Sequence, residues 1–204
     1  MGLMSSSVSI TRYRVQGDLR KPVLETVASG LKKYAIAEID DDAAEKSVGW
    51  TSFGKPYAPD FSGSSFVIGA YLIFSLRIDK KNIPPKLVAK QYTAEADRRL
   101  SRTGRGVMSG SEKKMIQEQV LHTLCLKIPA TPSVYDLVWN LEAHTLWYYT
   151  NLRAANEELE TLFAASFDLS LIRLFPYTDA ALTAGLTEPQ KDRLQQLVPV
   201  DFRI

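Results

Sequence analysis

Pro59-Asp60 and, further along, Asp79-Lys80-Lys81 fit the Pro-Asp…Asp-x-Lys pattern of a magnesium-dependent nuclease. In that chemistry two carboxylates, Asp60 and Asp79, hold the ion while Lys81 orients the attacking water. The pattern is short and chance matches are frequent. A surface aspartate and a strand-end aspartate are the plainer reading. Other ligand-capable sets are weaker. Asp40, Asp41 and Asp42 form an acidic turn of the kind more often solvated than metal-bound. Glu118 and His122 stand four apart on a helix, without a second ligand pair such as His-x-x-x-His. Cys125 lies beside an apolar stripe with no base in view to activate it. There is no Gly-x-x-x-x-Gly-Lys-Ser/Thr loop to cradle a nucleotide phosphate. The expectation is therefore a non-catalytic protein with no cofactor and no metal. Trp147-Tyr148-Tyr149 offer ring faces on which bases can stack. In a strand, however, Trp147 and Tyr149 share one side, and a sheet core explains that more simply.

The stronger chemical signal is charge. From Arg77 to Lys114 the chain holds 11 bases and 4 acids, a net +7, whereas the remainder holds 14 bases against 19 acids, a net −5. A chain of formal charge +2 is thus strongly polarised, and such a stripe suits a polyanion. The candidate contacts are Lys80, Lys81, Lys86, Lys90, Arg98, Arg99, Arg102, Arg105, Lys113 and Lys114. Bases strung along a helix neutralise successive phosphates and release counterions, which gives affinity without base specificity. No short helix rich in Asn, Gln and Arg is present to read base edges. The competing reading is a solvated helical arm, or one that meets an acidic protein partner.

The elements that must carry these residues follow from periodicity. Ser6–Val15 alternates and reads as a strand. A helix follows over 20–35, with Asp18 as its cap and Pro22 in its first turn. Phe66–Ile78 is apolar at nearly every position and reads as a strand buried on both faces. Pro85 opens a helix over 86–100, and Arg102–Gly110 is a linker. Ser111 caps a second helix over 112–126, whose inner side is Ile116, Val120 and Leu124. Strands over 133–140 and 144–150, a helix over 154–165, a strand over 169–175 and a helix over 187–197 complete the order. The fold class is α+β, with antiparallel sheets and packed helices in two similar halves around an inserted basic helical hairpin. The divisions fall at 1–79, 80–128 and 129–204. With 45% hydrophobic and 24% charged residues the chain has material for a core. Its longest apolar run is half of what a bilayer span needs. One cysteine excludes an internal disulfide and suits a reducing compartment. A cytoplasmic protein that does not enter membranes is expected.

Several segments resemble the recombination-associated RdgC proteins of bacteria. Glu112-Lys113-Lys114, then Glu118, Val120-Leu121-His122 and Leu124, look like the family's Glu-Lys…Glu-Val-Leu-His-x-Leu helix. Trp139 fits the aromatic of the strand after it. Arg153-Ala154-Ala155-Asn156-Glu157-Glu158-Leu159 is similar to its Ala-Lys-x-Ala-Glu-Glu-Leu helix. Gly49-Trp50 and Lys80-Lys81-Asn82-Ile83-Pro84 resemble its Gly-Trp and Lys-x-Leu-Pro elements. The family's Leu-Pro-x-Ala-Phe loop is here Leu126-Lys127-Ile128-Pro129-Ala130, without the aromatic. The resemblance implies a sequence-independent DNA-binding protein, associated with the nucleoid. It further implies a homodimer with a positive inner surface that restrains recombinase filaments on DNA.

Overall fold

A computed structural model describes residues 2–197. The described residues form β1 (Thr11–Gln16), α1 (Val23–Lys33), β2 (Lys46–Thr51), β3 (Val67–Ile68) and β4 (Tyr71–Lys80). They continue with α2 (Pro85–Thr103), α3 (Gly110–Cys125), β5 (Thr131–Asn140), β6 (Thr145–Tyr148) and α4 (Arg153–Phe167). The last elements are β7 (Ser170–Leu174), α5 (Pro176–Thr183) and α6 (Glu188–Gln196). The fold is α+β, built on one antiparallel sheet in the order β2-β4-β5-β6-β1-β7, with β3 also on β4. The expected final division, 129–204, ends in residues 198–204, which lie outside the described residues.

The sheet corrects the picture of two similar halves. β1, first in the chain, lies between β6 and β7, so the N-terminal strand is built into the C-terminal part. β4 and β5 pair along their whole length, from Tyr71 opposite Asn140 to Lys80 opposite Thr131. One sheet therefore runs across both sides of the α2–α3 insertion, and one core serves it. Alternation along each strand sends Tyr13, Leu72, Phe74, Leu76, Leu137, Trp139, Leu146 and Tyr148 to a single face. α1 and α4 close that face with Val27, Leu31, Leu159, Phe163 and Phe167. Trp50 anchors the β2 side: its ring lies against Phe74 and Phe167, and its Nε1 donates to Ser166 Oγ at 2.8 Å.

The opposite face is treated differently at its two ends. Over β2 and β4 it is roofed by the loop after β2. Thr51 Oγ1 donates to the Pro56 carbonyl, and the Tyr57 ring lies 5.2 Å from the buried Arg77 guanidinium. Toward its end the Phe66–Ile78 run is thus covered on both sides, and its roofed positions include the polar Ser75 and Arg77, 1% and 4% exposed. Gly69 divides that run: its φ of 61° makes the turn between β3 and β4. Over β5, β6, β1 and β7 the face is partly open.

Gly49 marks a close approach. The segment after α1 runs beside β2, with Trp50 NH donating to Tyr34 and Ile36 NH to Trp50. A Cβ on Gly49 would sit 2.4 Å from Ile36 Cα, against backbone that the pairing holds in place. Gly49→Ala is expected to cost about 2 kcal/mol of unfolding free energy through this overlap. A urea titration that shows no shift of midpoint would refute the assignment.

Candidate nucleic-acid interface

α2 and α3 form an arm. Pro85 starts α2, where its missing NH costs nothing, and Gly104, with φ 62°, ends it in the left-handed conformation. α2 runs 19 residues, about 28 Å at the helical rise. Ser109, not Ser111, caps α3: its Oγ accepts from Glu112 NH while the Glu112 carboxylate accepts from Ser109 NH at 2.8 Å. The arm has its own small core. Ile116, Val120 and Leu124 of α3 meet Leu87, Val88 and Tyr92 of α2, with Ile83 and Ile128 at the base and Met108 in the turn.

The capping hydrogen bond from Ser109 NH lowers the Glu112 carboxyl below its usual 4.5. A carboxyl depressed in the folded state stabilises above its unfolded value, and that contribution is lost as pH falls through the lower folded value. The first turn of α3 should therefore loosen only below about pH 4.5. The carboxyl chemical shift of Glu112 is expected to titrate below 4.5 in the native protein and to move back toward it in Ser109→Pro, which deletes that NH at a position whose φ of −69° proline adopts. An unchanged midpoint in that variant would contradict the cap.

The structure sorts the ten candidate bases into three groups. Lys80, Lys86, Lys90, Arg98, Arg102, Arg105, Lys113 and Lys114 are exposed. Lys86 and Lys90 are one helical turn apart on α2, as are Arg98 and Arg102. Three of the eight stand near acids on the same arm: Arg98 at 3.6 Å from Glu95, Arg105 at 3.7 Å from Glu112 and Lys114 at 3.8 Å from Glu118. Exposed pairs of this length contribute about 0–1 kcal/mol, so a polyphosphate can displace them. Arg99 is half-buried, and its Nη1 is buried without a hydrogen-bond partner among the described residues. With Arg98 and Arg102 it lines a shallow cleft that Gln119 closes from α3.

Lys81 forms the third group and corrects the sequence reading. It is 4% exposed, and its Nζ donates to the carbonyls of Asp40 at 3.1 Å, Asp42 at 2.6 Å and Cys125 at 2.6 Å. It ties the arm to the body and presents nothing to a ligand. Arg77, counted in the basic stretch, is likewise internal, bonded to both carboxylate oxygens of Asp79 and to Glu38. Lys127, beyond the stretch, is exposed at the arm's base and adds a cation that a boundary at Lys114 left out.

The nuclease set is not assembled. Both oxygens of Asp79 accept from Arg77, at 2.7 and 2.6 Å, and Asp79 is 1% exposed. Asp60 turns to its own loop, where Oδ1 accepts from Ser62 NH, and the Ser62 hydroxyl, followed by that NH, lowers its carboxyl pKa. Lys81 is committed as described. Among the described residues no group of three or more His, Cys, Asp or Glu side chains is placed to hold a metal ion. Glu118 pairs with Lys114 while His122 is exposed, and Asp40 accepts from Ala130 NH. Cys125 is buried. No helix among the described residues is long and apolar enough to cross a membrane.

Trp147 is the residue that sequence reasoning misplaced. Leu146 and Tyr148 point into the core, and Trp147, 45% exposed, lies on the open side of the sheet. Tyr149, just past the end of β6, is buried.

No protein-family model matches the chain, and no curated protein matches it.

Proposed function

We propose that the protein binds DNA without sequence preference through the α2–α3 arm. One observation carries this reading: eight exposed bases sit on or beside a helical hairpin whose own core frees it from packing against the sheet. The exposed ion pairs on the arm are loose enough to be exchanged for phosphates. The charged side chains that the arm exposes are mostly Lys and Arg, which meet phosphates as positive charges. Contacts of that kind fix position on the backbone and carry no sequence information.

The resemblance to the RdgC proteins extends the proposal to a homodimer that occupies DNA and limits the access of recombinase filaments. In this reading it is a cytoplasmic, nucleoid-associated protein that acts by occupancy, not by catalysis. The test is competition binding with unrelated DNA sequences across a salt series, together with a sizing measurement. Equal affinity for unrelated sequences and a steep salt dependence are expected. A flat salt response would remove the proposal.

A further inference from the structure

The open half of the sheet carries an arrangement that the arm reading does not use. Trp147 on β6 stands directly opposite Arg12 on β1 and Val138 on β5. One row along, Arg14 is opposite Thr145, Thr145 opposite Asn140, and Asn140 opposite Tyr71. Residues opposite one another in an antiparallel pair share a face, with Cβ atoms about 5 Å apart. An indole and two guanidinium groups thus lie on neighbouring strands of the surface turned away from α1 and α4, with the Tyr71 ring on the same face two strands from Trp147. Tyr71 is 43% exposed and Trp147 45%. β6 is an interior strand of this sheet, where a side chain of that size is ordinarily covered.

Among the described residues the two arginines retain donors. Arg12 reaches Asp179 only at 3.5 Å, with half of its side chain exposed, and Arg14 donates one bond, to the Ala143 carbonyl at 3.0 Å. Asp136, on the same face, is already engaged by Ser75 Oγ and by Leu3 NH. The patch therefore offers positive charge beside an exposed aromatic surface.

We infer that this sheet face is a second nucleic-acid site, which takes unpaired bases of a single strand by stacking on Trp147, with Arg12 and Arg14 on the flanking phosphates. Every base has a π-face, so stacking of this kind is tolerant of sequence, and bases can be laid on a sheet only when they are free of a duplex. The alternative occupant of an apolar sheet face is a second copy of the chain. Charge argues against it: a two-fold contact across this face would bring the same arginines toward one another. The site does not depend on the arm and stands or falls separately from it.

The three tryptophans provide the readout. Trp50 and Trp139 are buried to within 1% of full burial, which leaves Trp147 as the one indole in reach of a ligand. Titration with a short oligothymidylate is expected to quench tryptophan emission saturably. The quench should persist when the exposed bases of the arm are changed to Ala, which separates this site from the arm. Trp147→Ala should weaken oligothymidylate binding about tenfold, with Trp147→Phe in between. Arg12→Ala with Arg14→Ala should lower the salt slope by about 1.4. Unchanged affinity in Trp147→Ala, or no quench at saturation, overturns the inference. So does a Trp147→Ala variant that converts a dimer to a monomer on sedimentation without altering oligonucleotide binding, since that places a second copy on this face.

Discussion

Changing Lys86, Lys90, Arg98, Arg102, Lys113 and Lys114 together to Ala is expected to remove most of the DNA affinity and most of its salt dependence. The expectation follows from counting. Each phosphate neutralised on duplex DNA contributes about 0.9 to the slope of log affinity against log salt. With all eight exposed bases engaged, affinity should fall about 10⁴-fold between 50 and 200 mM salt. With Lys80 and Arg105 left, it should fall only about tenfold over the same range. The loss should be the same on unrelated sequences, because the contacts are to the backbone. All six side chains are exposed and none is part of the arm's apolar core, so each substitution should change stability by less than about 0.5 kcal/mol. Circular dichroism checks that the helices persist. A variant that keeps the parental slope would move DNA binding off the arm. A variant that keeps DNA binding but loses an acidic protein partner would favour an interaction module instead.

How much of this was readable beforehand depends on what kind of interaction decides each residue. Elements governed by local pattern came through. The helices read over 86–100 and 112–126 are α2 and α3, longer or shifted by a few residues, because Pro85, Gly104 and the Ile116-Val120-Leu124 stripe act within the segment itself. The α3 cap moved from Ser111 to Ser109 because the capping box needs its Glu three residues on, and Glu112 supplies it only for Ser109. α5 passed unseen: eight residues with no buried side chain leave no periodic stripe. What failed were the non-local decisions. Strand alternation allows Trp147 to point either way, and only the pairing of Arg12 with Trp147 and of Tyr13 with Leu146 fixes which way that is. Likewise nothing adjacent to β1 in sequence says that it will insert between β6 and β7, which is what merges the expected halves into one sheet. For the candidate site, charge segregation identified the arm but not the use made of each cation. Arg77 and Lys81 look like their neighbours in sequence and differ only because partners such as Glu38, Asp40 and Cys125 arrive from elsewhere in the chain.

Lys81→Met should therefore destabilise the protein by about 4 kcal/mol while leaving the salt slope of DNA binding unchanged. Methionine keeps the apolar stem but removes the three bonds that the ammonium donates to the Asp40, Asp42 and Cys125 carbonyls. Those carbonyls sit where the loop after α1, the end of β4 and the end of α3 converge, so their loss is not confined to one element. Cys125 is the last residue of α3, and the lysine places a full positive charge against the negative end of that helix dipole. The arm should open before the sheet does. Amide exchange in α2 and α3 is expected to speed up at denaturant concentrations where β4 and β5 remain protected. A phosphate-contacting lysine would behave in the opposite way: the variant would keep its stability and lose about 0.9 from the salt slope. Unfolding measured alongside a salt titration, at a temperature where the variant is still folded, thus separates a lysine that holds the arm from one that holds the DNA.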